Sequence, residues 1–306
     1  GPAEQIAAGR DHTCAILEGG SLRCWGDNSW GQLGLGHTYN VGDDEHPASV
    51  PPIDLGGATP IQVAGGMGHT CAVVTGDELM CWGLGSSGEL GYGNNSLIGD
   101  DEHPASAGLV PSGGGVREVS ASRNNTCARY ANGNVKCWGY GPLGANGQAA
   151  TATLGDDEMP TSYPVVALGV GARKLREGAA SDHAAGAVTQ AGDVLLWGLN
   201  NHGQLGYGDQ VNVGDDETPM GFTTGDLTST GTPTTSTPWL ASAGPTTWPG
   251  SEMPPAAPSR AASISTPRRP SVFADSAASR SPTVSSPWPA TCWVVLAQPL
   301  LTIRRC

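Results

Sequence analysis

The sequence predicts an all-β fold assembled from repeated units, and three observations carry that reading. The first is a unit written four times: His12-Thr13-Cys14 with Cys24-Trp25-Gly26, His69-Thr70-Cys71 with Cys81-Trp82-Gly83, Asn125-Thr126-Cys127 with Cys137-Trp138-Gly139, and a degraded copy ending Leu196-Trp197-Gly198. The four tryptophans lie 57, 56 and 59 residues apart, a period that signals a stack or ring of supersecondary units rather than one mixed core. The second is composition. With 46 glycines and 24 prolines in 306 residues and only 14% charged side chains, the chain is turn-rich, and its 38% hydrophobic content can still fill a core. The third is the brevity of the apolar runs, each closed by Gly, Asp or Asn.

Within the second unit, Ile61 to Ala64 runs into Gly65-Gly66, Cys71 to Val74 is followed by Gly76-Asp77, and Leu79 to Trp82 closes on Gly83. Such runs are what antiparallel strands with tight hairpins look like. No stretch sustains an apolar repeat at 3.6-residue spacing between caps, so no helix is expected in the repeats. Two to four strands per unit fit a propeller blade or a solenoid rung.

Six of the eight cysteines fall in pairs ten residues apart: Cys14/Cys24, Cys71/Cys81 and Cys127/Cys137. A hairpin with a three- or five-residue loop sets the two members directly opposite each other, whereas a two- or four-residue loop shifts the pairing by one. A directly opposite, non-hydrogen-bonded pair brings the Cα atoms to about 4.5 Å, which a disulfide can span. The fourth copy loses both members together, with Gly186 or Ala185 at one place and Leu196 at the other. Disulfides are the expectation, and with them an oxidising compartment; free thiols serving as small buried hydrophobes are the alternative. The spacing matches neither zinc ligand pairs nor a Cys-x-x-Cys redox motif.

Taken together, His-Thr-Cys-Ala, Cys-Trp-Gly and the Gly31-Gln32-Leu33-Gly34 that follows, recurring as Gly88-Glu89-Leu90-Gly91 and Gly203-Gln204-Leu205-Gly206, resemble the repeat of the regulator-of-chromosome-condensation (RCC1) family. The paired cysteines and the Gly-Asp-Asp-Glu tetrads look most like a secreted bacterial, myxobacterial-type branch. The resemblance covers about residues 4–220 and implies an RCC1-like β-propeller of seven blades with four antiparallel strands each. Four repeats supply about four blades, so an incomplete ring is expected, with exposed blade edges that invite self-association. The third repeat departs from the Gly-Gln-Leu-Gly register, and the fourth lacks the cysteines.

The expected domain pattern is repeats over 1–220 and a largely disordered tail over 221–306. The tail holds 13 of the 24 prolines, runs of Ser, Thr and Ala, and no further repeat motif. It reads either as a linker or as the product of a reading-frame change in a GC-rich gene; its Cys292 and Cys306 have no repeat partner. The chain begins Gly1-Pro2 without methionine, as a mature, trimmed or engineered fragment would.

Charge divides the chain as well. Residues 1–220 carry 25 acidic and 9 basic side chains, a balance of −16, against +3 for the remainder. An acidic repeat region repels phosphate backbones, so nucleic acid is not the expected partner. No apolar run approaches the length of a membrane span.

Candidate chemistry is sparse. The tetrads at Asp43-Asp44-Glu45, Asp100-Asp101-Glu102, Asp156-Asp157-Glu158 and Asp215-Asp216-Glu217 gather hard oxygen ligands that could hold Ca²⁺. They lack the alternating pattern of a calcium loop, and the expected role is a capped turn before Pro47, Pro104, Pro160 or Pro219. No other cofactor is indicated. His12 and His69 share a slot with Asn125, which makes the slot a hydrogen-bonding one rather than a proton-transfer one. The equivalent tryptophans are expected to pack between blades. Trp30, Tyr39, Tyr140 and His202 are not repeated, and as loop residues they form the candidate partner surface.

No nucleophile, base and orienter occur at a readable spacing, so the expectation is a non-catalytic scaffold, not an enzyme, that is extracellular, cell-surface or periplasmic and binds a protein or glycan through blade loops. The second reading, implied by the resemblance, is a regulator or inhibitor of a partner enzyme, exchange-factor-like or β-lactamase-inhibitor-like, acting through one propeller face.

Overall fold

Hairpins define the architecture of the computed structural model, which describes residues 1–176 and 183–222. These fall within a unit spanning Gly1–Pro238. The expected tail lies outside the described residues from 223 onward, including Cys292 and Cys306. The first repeat folds as β1 (Ala3–Ala8), β2 (His12–Leu17) and β3 (Ser21–Gly26), and the second as β4 (Pro60–Gly65), β5 (His69–Val74) and β6 (Glu78–Gly83). The third contributes β7 (Val116–Ala121), β8 (Asn125–Tyr130) and β9 (Val135–Gly139), and the fourth β10 (Ala172–Arg176), β11 (Ala184–Thr189) and β12 (Val194–Gly198). Each repeat is one antiparallel sheet with its strands in sequence order. The first strands β1, β4, β7 and β10 touch one another in succession, so the sheets converge at their first strands and form consecutive blades of an incomplete β-propeller.

The expected four strands per blade are not fully formed. Each blade has three strands and then a single antiparallel bridge: Gly26 with Val41, Gly83 with Ile98, Gly139 with Leu154 and Gly198 with Val213. What stops the fourth strand is the tetrad glycine that follows the bridge. Gly42, Gly99, Gly155 and Gly214 have φ of 100°, 99°, 98° and 102°, a conformation that L side chains rarely adopt and that turns the chain off the sheet edge. The expectation of no helix also needs correction. A one-turn helix, α1 (Pro104–Ala107), and a 3₁₀ turn at Pro160–Ser162 follow two of the tetrads. Both start on proline, whose fixed φ suits a first helical position, and both are too short to leave a periodic signature.

Hairpin geometry settles the cysteines. Leu17 faces Ser21 and Val74 faces Glu78 across three-residue loops, while Arg129 faces Val135 across five residues. In each case the cysteines stand directly opposite, and Cys14–Cys24, Cys71–Cys81 and Cys127–Cys137 are disulfide-bonded with Cα separations of 4.0, 4.1 and 4.0 Å. In the fourth blade Gly186 faces Leu196 at the same register. A large apolar side chain opposite glycine there occupies the place of the disulfide.

The buried side chains form wedges between neighbouring blades. One cluster joins the first three, from Ile16 and Leu22 through Val63, Leu79 and Trp82 to Val119 and Trp138; a second joins the third and fourth around Leu175, Leu195 and Trp197. Within this frame a disulfide closing a ten-residue separation stabilises by about 2–3 kcal/mol through the unfolded chain. We therefore expect Cys71→Ala/Cys81→Ala to lower stability by about that amount in denaturant titration, and full reduction to lower the melting temperature of the wild type. An unchanged melting temperature, with six alkylatable repeat thiols before reduction, would contradict the disulfides.

Candidate functional site

The loops that link each third strand to its bridge gather on one side of the blades, because every third strand ends there. Each of these loops, 27–40, 84–97, 140–153 and 199–212, is fourteen residues long and closed by the bridge at its base. The hairpin turns lie at the opposite ends of the strands. Buried asparagines shape two of the loops. Asn28 donates its Nδ2 to the carbonyls of His37 (2.6 Å) and Tyr39 (3.0 Å), while its Oδ1 accepts the Leu33 N–H (2.9 Å). Asn200 does the same with Asp209, Val211 and Leu205. These residues were not singled out from the sequence, although Trp25-Gly26-Asp27-Asn28 and Trp197-Gly198-Leu199-Asn200 carry the signal. The third loop uses Asn146, whose Nδ2 donates to the Gly139 and Ala152 carbonyls. A loop pinned from inside in this way is a preformed surface rather than a slack connection.

The same loops tie blade to blade. The Gln32 carbonyl accepts both the Thr70 hydroxyl (2.8 Å) and the Trp82 Nε1–H (3.0 Å) of the next blade. The Glu89 carbonyl accepts Thr126 (2.8 Å) and Trp138 (3.0 Å) in the same way, and the Ala145 carbonyl accepts Trp197 (3.0 Å). Trp82, Trp138 and Trp197 are completely buried, as expected of residues between sheets. Trp25, with no blade before it among the described residues, is only half-buried.

The His slot acts through the threonines. His12 Nε2 lies 2.9 Å from Thr70 Oγ1, and His69 Nε2 3.0 Å from Thr126 Oγ1. Since each threonine hydroxyl is already donated to a carbonyl, the imidazole must donate through Nε2–H, leaving Nδ1 unprotonated. Burial disfavours the charged rings: the His12 pKa falls to about 4, against the pull of Asp27 and Asp11, and that of His69 to about 3, helped by the nearness of His12. Asn125 holds the slot in the third blade, where its Oδ1 accepts His183 Nδ1–H at 3.0 Å.

At the tetrads, Glu45, Glu102 and Glu217 each accept the N–H of their own Gly42, Gly99 and Gly214. At Gly99 and Gly214 this turn presses the glycine against the preceding blade's loop. A Cβ on Gly31 would lie 2.5 Å from the Asp100 nitrogen, so neither side has room for a larger residue. One carboxylate oxygen from each of the three acidic residues of a tetrad lies within 4.8 Å of the others, a span a cation could bridge, and Glu45, Glu102 and Glu217 serve the turn in addition. Partial burial first, then the hydrogen bond with the neighbouring aspartate and the crowding of like charges, raise the carboxyl pKa of Glu102, Glu158 and Glu217, that of Glu217 to about 7.

Of the candidate partner residues, Tyr39 is 76% exposed and His202 is exposed. Trp30, at the position equivalent to His202, lays its ring over Gly68 of the next blade. Tyr140 stacks at a tilt on His183, ring centroids 4.9 Å apart. All four stand in the pinned loops, on one side. Trp30 and Tyr140 also serve blade contacts.

Sequence comparison agrees with this geometry. The regulator of chromosome condensation (RCC1) repeat is matched at residues 3–32 and 116–148 by one family model and at 20–73 and 191–225 by another. These repeats belong to the RCC1 family. The chain is similar to the ultraviolet-B receptor UVR8 of Arabidopsis thaliana, 29% identical over 218 residues that cover 68% of this chain and 44% of the relative. It is also similar to the mitochondrial RCC1 domain-containing protein RUG3 of the same plant, at 32% identity with 66% and 43% covered. The chain thus spans less than half the length of these relatives. Among solved structures, human WBSCR16 superposes with a TM-score of 0.57 at 23% identity, covering 73% of this chain and 53% of that one. Prp20p of Saccharomyces cerevisiae superposes at 0.54 and 19%, covering 71% and 50%. At such identities the likeness concerns the fold.

Two outcomes test the site's energetics. Trp138→Phe loses a buried hydrogen bond and leaves a void, at a cost of about 2–3 kcal/mol, whereas Trp25→Phe costs under about 1 kcal/mol in the same titration. The second concerns Glu89, which stands where the first and fourth loops carry Gln32 and Gln204 and the third carries Ala145. Burial lifts its carboxyl pKa from 4.5 to about 7, against the hydrogen bonds of the Ser87 N–H and Asn124. The raised value means that its contribution is complete below about pH 4.5 and is lost as pH rises through about 7. Glu89→Gln should therefore gain up to about 3 kcal/mol at pH 8 relative to wild type and little at pH 4. Measuring the variant against wild type cancels the acid destabilisation due to His12 and His69, which acts below pH 6.5.

Proposed function

We propose that these RCC1 blades are a non-catalytic interaction scaffold that binds a protein partner in an oxidising compartment outside the cytoplasm. The observation that supports this most is the row of pinned loops on one side, from which the non-repeated Tyr39 and His202 project while the repeated residues are spent on blade contacts. A surface whose backbone is fixed by buried Asn28 and Asn200 loses little conformational freedom on binding. Exposed tyrosine on such a surface is among the usual carriers of interface energy. Three disulfides support the compartment, since such bonds persist where thiols are not kept reduced. Among the described residues no helix is long and apolar enough to cross a membrane. The family includes regulators, and an inhibitor or regulator of an enzyme would use the same loop side.

The test compares intact protein with Tyr39→Ala/His202→Ala on the loop side and with Glu18→Ala, an exposed hairpin position on the other side. Immobilised protein is exposed to an extracellular protein fraction, and retained proteins are quantified by mass spectrometry. A partner that binds the loops should weaken about 10-fold or more with the double variant and be unaffected by Glu18→Ala. Equal retention by all three proteins would refute the loop-face assignment.

A further inference from the structure

The tripeptide Asn-x-Ser/Thr, the acceptor pattern for N-linked sugar, occurs twice in the chain, at Asn94-Asn95-Ser96 and at Asn124-Asn125-Thr126. The fold treats the two in opposite ways. Asn124 is half-buried with its Nδ2 donated to Glu89 Oε1 at 3.2 Å. Asn125 and Thr126 beside it are fully buried, and the threonine hydroxyl is donated to the Glu89 carbonyl. Neither the Asn124 amide nor the Thr126 hydroxyl can be engaged without opening the junction between the second and third blades. Asn94, Asn95 and Ser96, by contrast, are all exposed in the loop 84–97.

That loop makes a local turn shared with two others. Asn94 Oδ1 accepts the Ser96 N–H at 3.0 Å, as Asp209 Oδ1 accepts the Val211 N–H at 3.1 Å and His37 Nδ1 the Tyr39 N–H at 3.2 Å. The turn therefore needs only an acceptor at residue 94, and aspartate or histidine would serve it. What sets the second loop apart is the position two residues on. Tyr39 is 76% and Val211 63% exposed, whereas the second loop presents the small hydroxyl of Ser96 there. The turn also uses only the amide oxygen of Asn94. Its Nδ2 is left with a 3.5 Å contact to the Tyr92 carbonyl, so a substituent on the nitrogen leaves the turn in place.

We infer that Asn94 is an N-glycosylation site and that Asn124 is not. The inference rests on the oxidising compartment outside the cytoplasm proposed above, where such transfer takes place. Asn94 Nδ2 attacks the anomeric carbon of an oligosaccharide carried on a lipid pyrophosphate. The new carbon–nitrogen bond replaces the sugar–oxygen bond, the lipid pyrophosphate departs with that electron pair, and the amide nitrogen loses one proton to a base of the transferase. The Ser96 hydroxyl is the group that completes the acceptor pattern. A glycan there gives the second loop a hydrated projection where the first and fourth loops project Tyr39 and Val211. A partner on this side then meets apolar contacts at those two loops and sugar between them.

The full chain, directed by a cleavable signal peptide into the secretory pathway of a eukaryotic expression host, is digested and its peptides are read by mass spectrometry before and after peptide-N-glycosidase. The enzyme leaves aspartate at each asparagine that carried sugar. Most molecules should be glycosylated at Asn94 and essentially none at Asn124. Ser96→Ala should abolish the glycan without lowering the melting temperature of the deglycosylated protein, because the turn uses the Ser96 N–H and not its hydroxyl. Asn94→Asp should behave in the same way, since Asp209 already makes the equivalent turn. A bare Asn94 in the secreted chain overturns the inference. Equal occupancy of Asn94 and Asn124 also overturns it, because the tripeptide alone, and not its exposure, would then direct transfer. Thiol alkylation of the same protein separates the two readings: free repeat thiols with Asn94 occupied would count against the disulfides and the compartment while the glycosylation site stands.

Discussion

The fold depends on a carbonyl. In the first three fourteen-residue loops the backbone oxygen at Gln32, Glu89 or Ala145 is aimed at the next blade and captures its tryptophan N–H. An indole nitrogen buried without a partner would oppose folding, so this bond lets the largest apolar side chain in each unit fill the wedge between sheets. The threonine that shares the first two carbonyls is in turn fixed by the histidine of the preceding blade. Loop, wedge and inner strand are therefore one connected arrangement, complete at the first two junctions.

The tetrads belong to the same arrangement. A glycine at φ near 100° ends the fourth strand after a single bridge, the glutamate closes the turn on the glycine N–H, and the glycine meets the preceding loop without a Cβ between them. Where one element of the set is missing, its partner is missing too. The fourth blade has neither cysteine, and it has Ala185 where its neighbours have the threonine. Correspondingly, its junction keeps the tryptophan bond and replaces the histidine–threonine contact with His183 on Asn125.

Much of this was legible in the residues. The 57-residue period, the short strands and the ten-residue cysteine spacing led to antiparallel blades with cross-strand disulfides, because hairpin register is a local property. The packing of the tryptophans and the turn role of the tetrads followed from their recurrence in every unit. The partner surface was only partly readable. Trp30 and Tyr140 stand apart in the sequence, yet one covers Gly68 and the other stacks on His183, contacts between residues 38 and 43 positions apart. Asn28 and Asn200 went unnoticed because the recurrence skips two blades, where Gly85 and Gly141 let the loop backbone close directly.

By itself the sequence determined the repeat, the hairpins, the disulfide pairing and the RCC1 resemblance, all of which rest on periodicity and local register. The tertiary structure alone decided which partner each polar group finds. His12 meets Thr70, Gln5 meets Val63 and Glu89 becomes a buried carboxyl only when one blade is laid on the next. Burial and hydrogen bonding depend on atoms about one repeat away in the chain, and the linear sequence does not encode their distances.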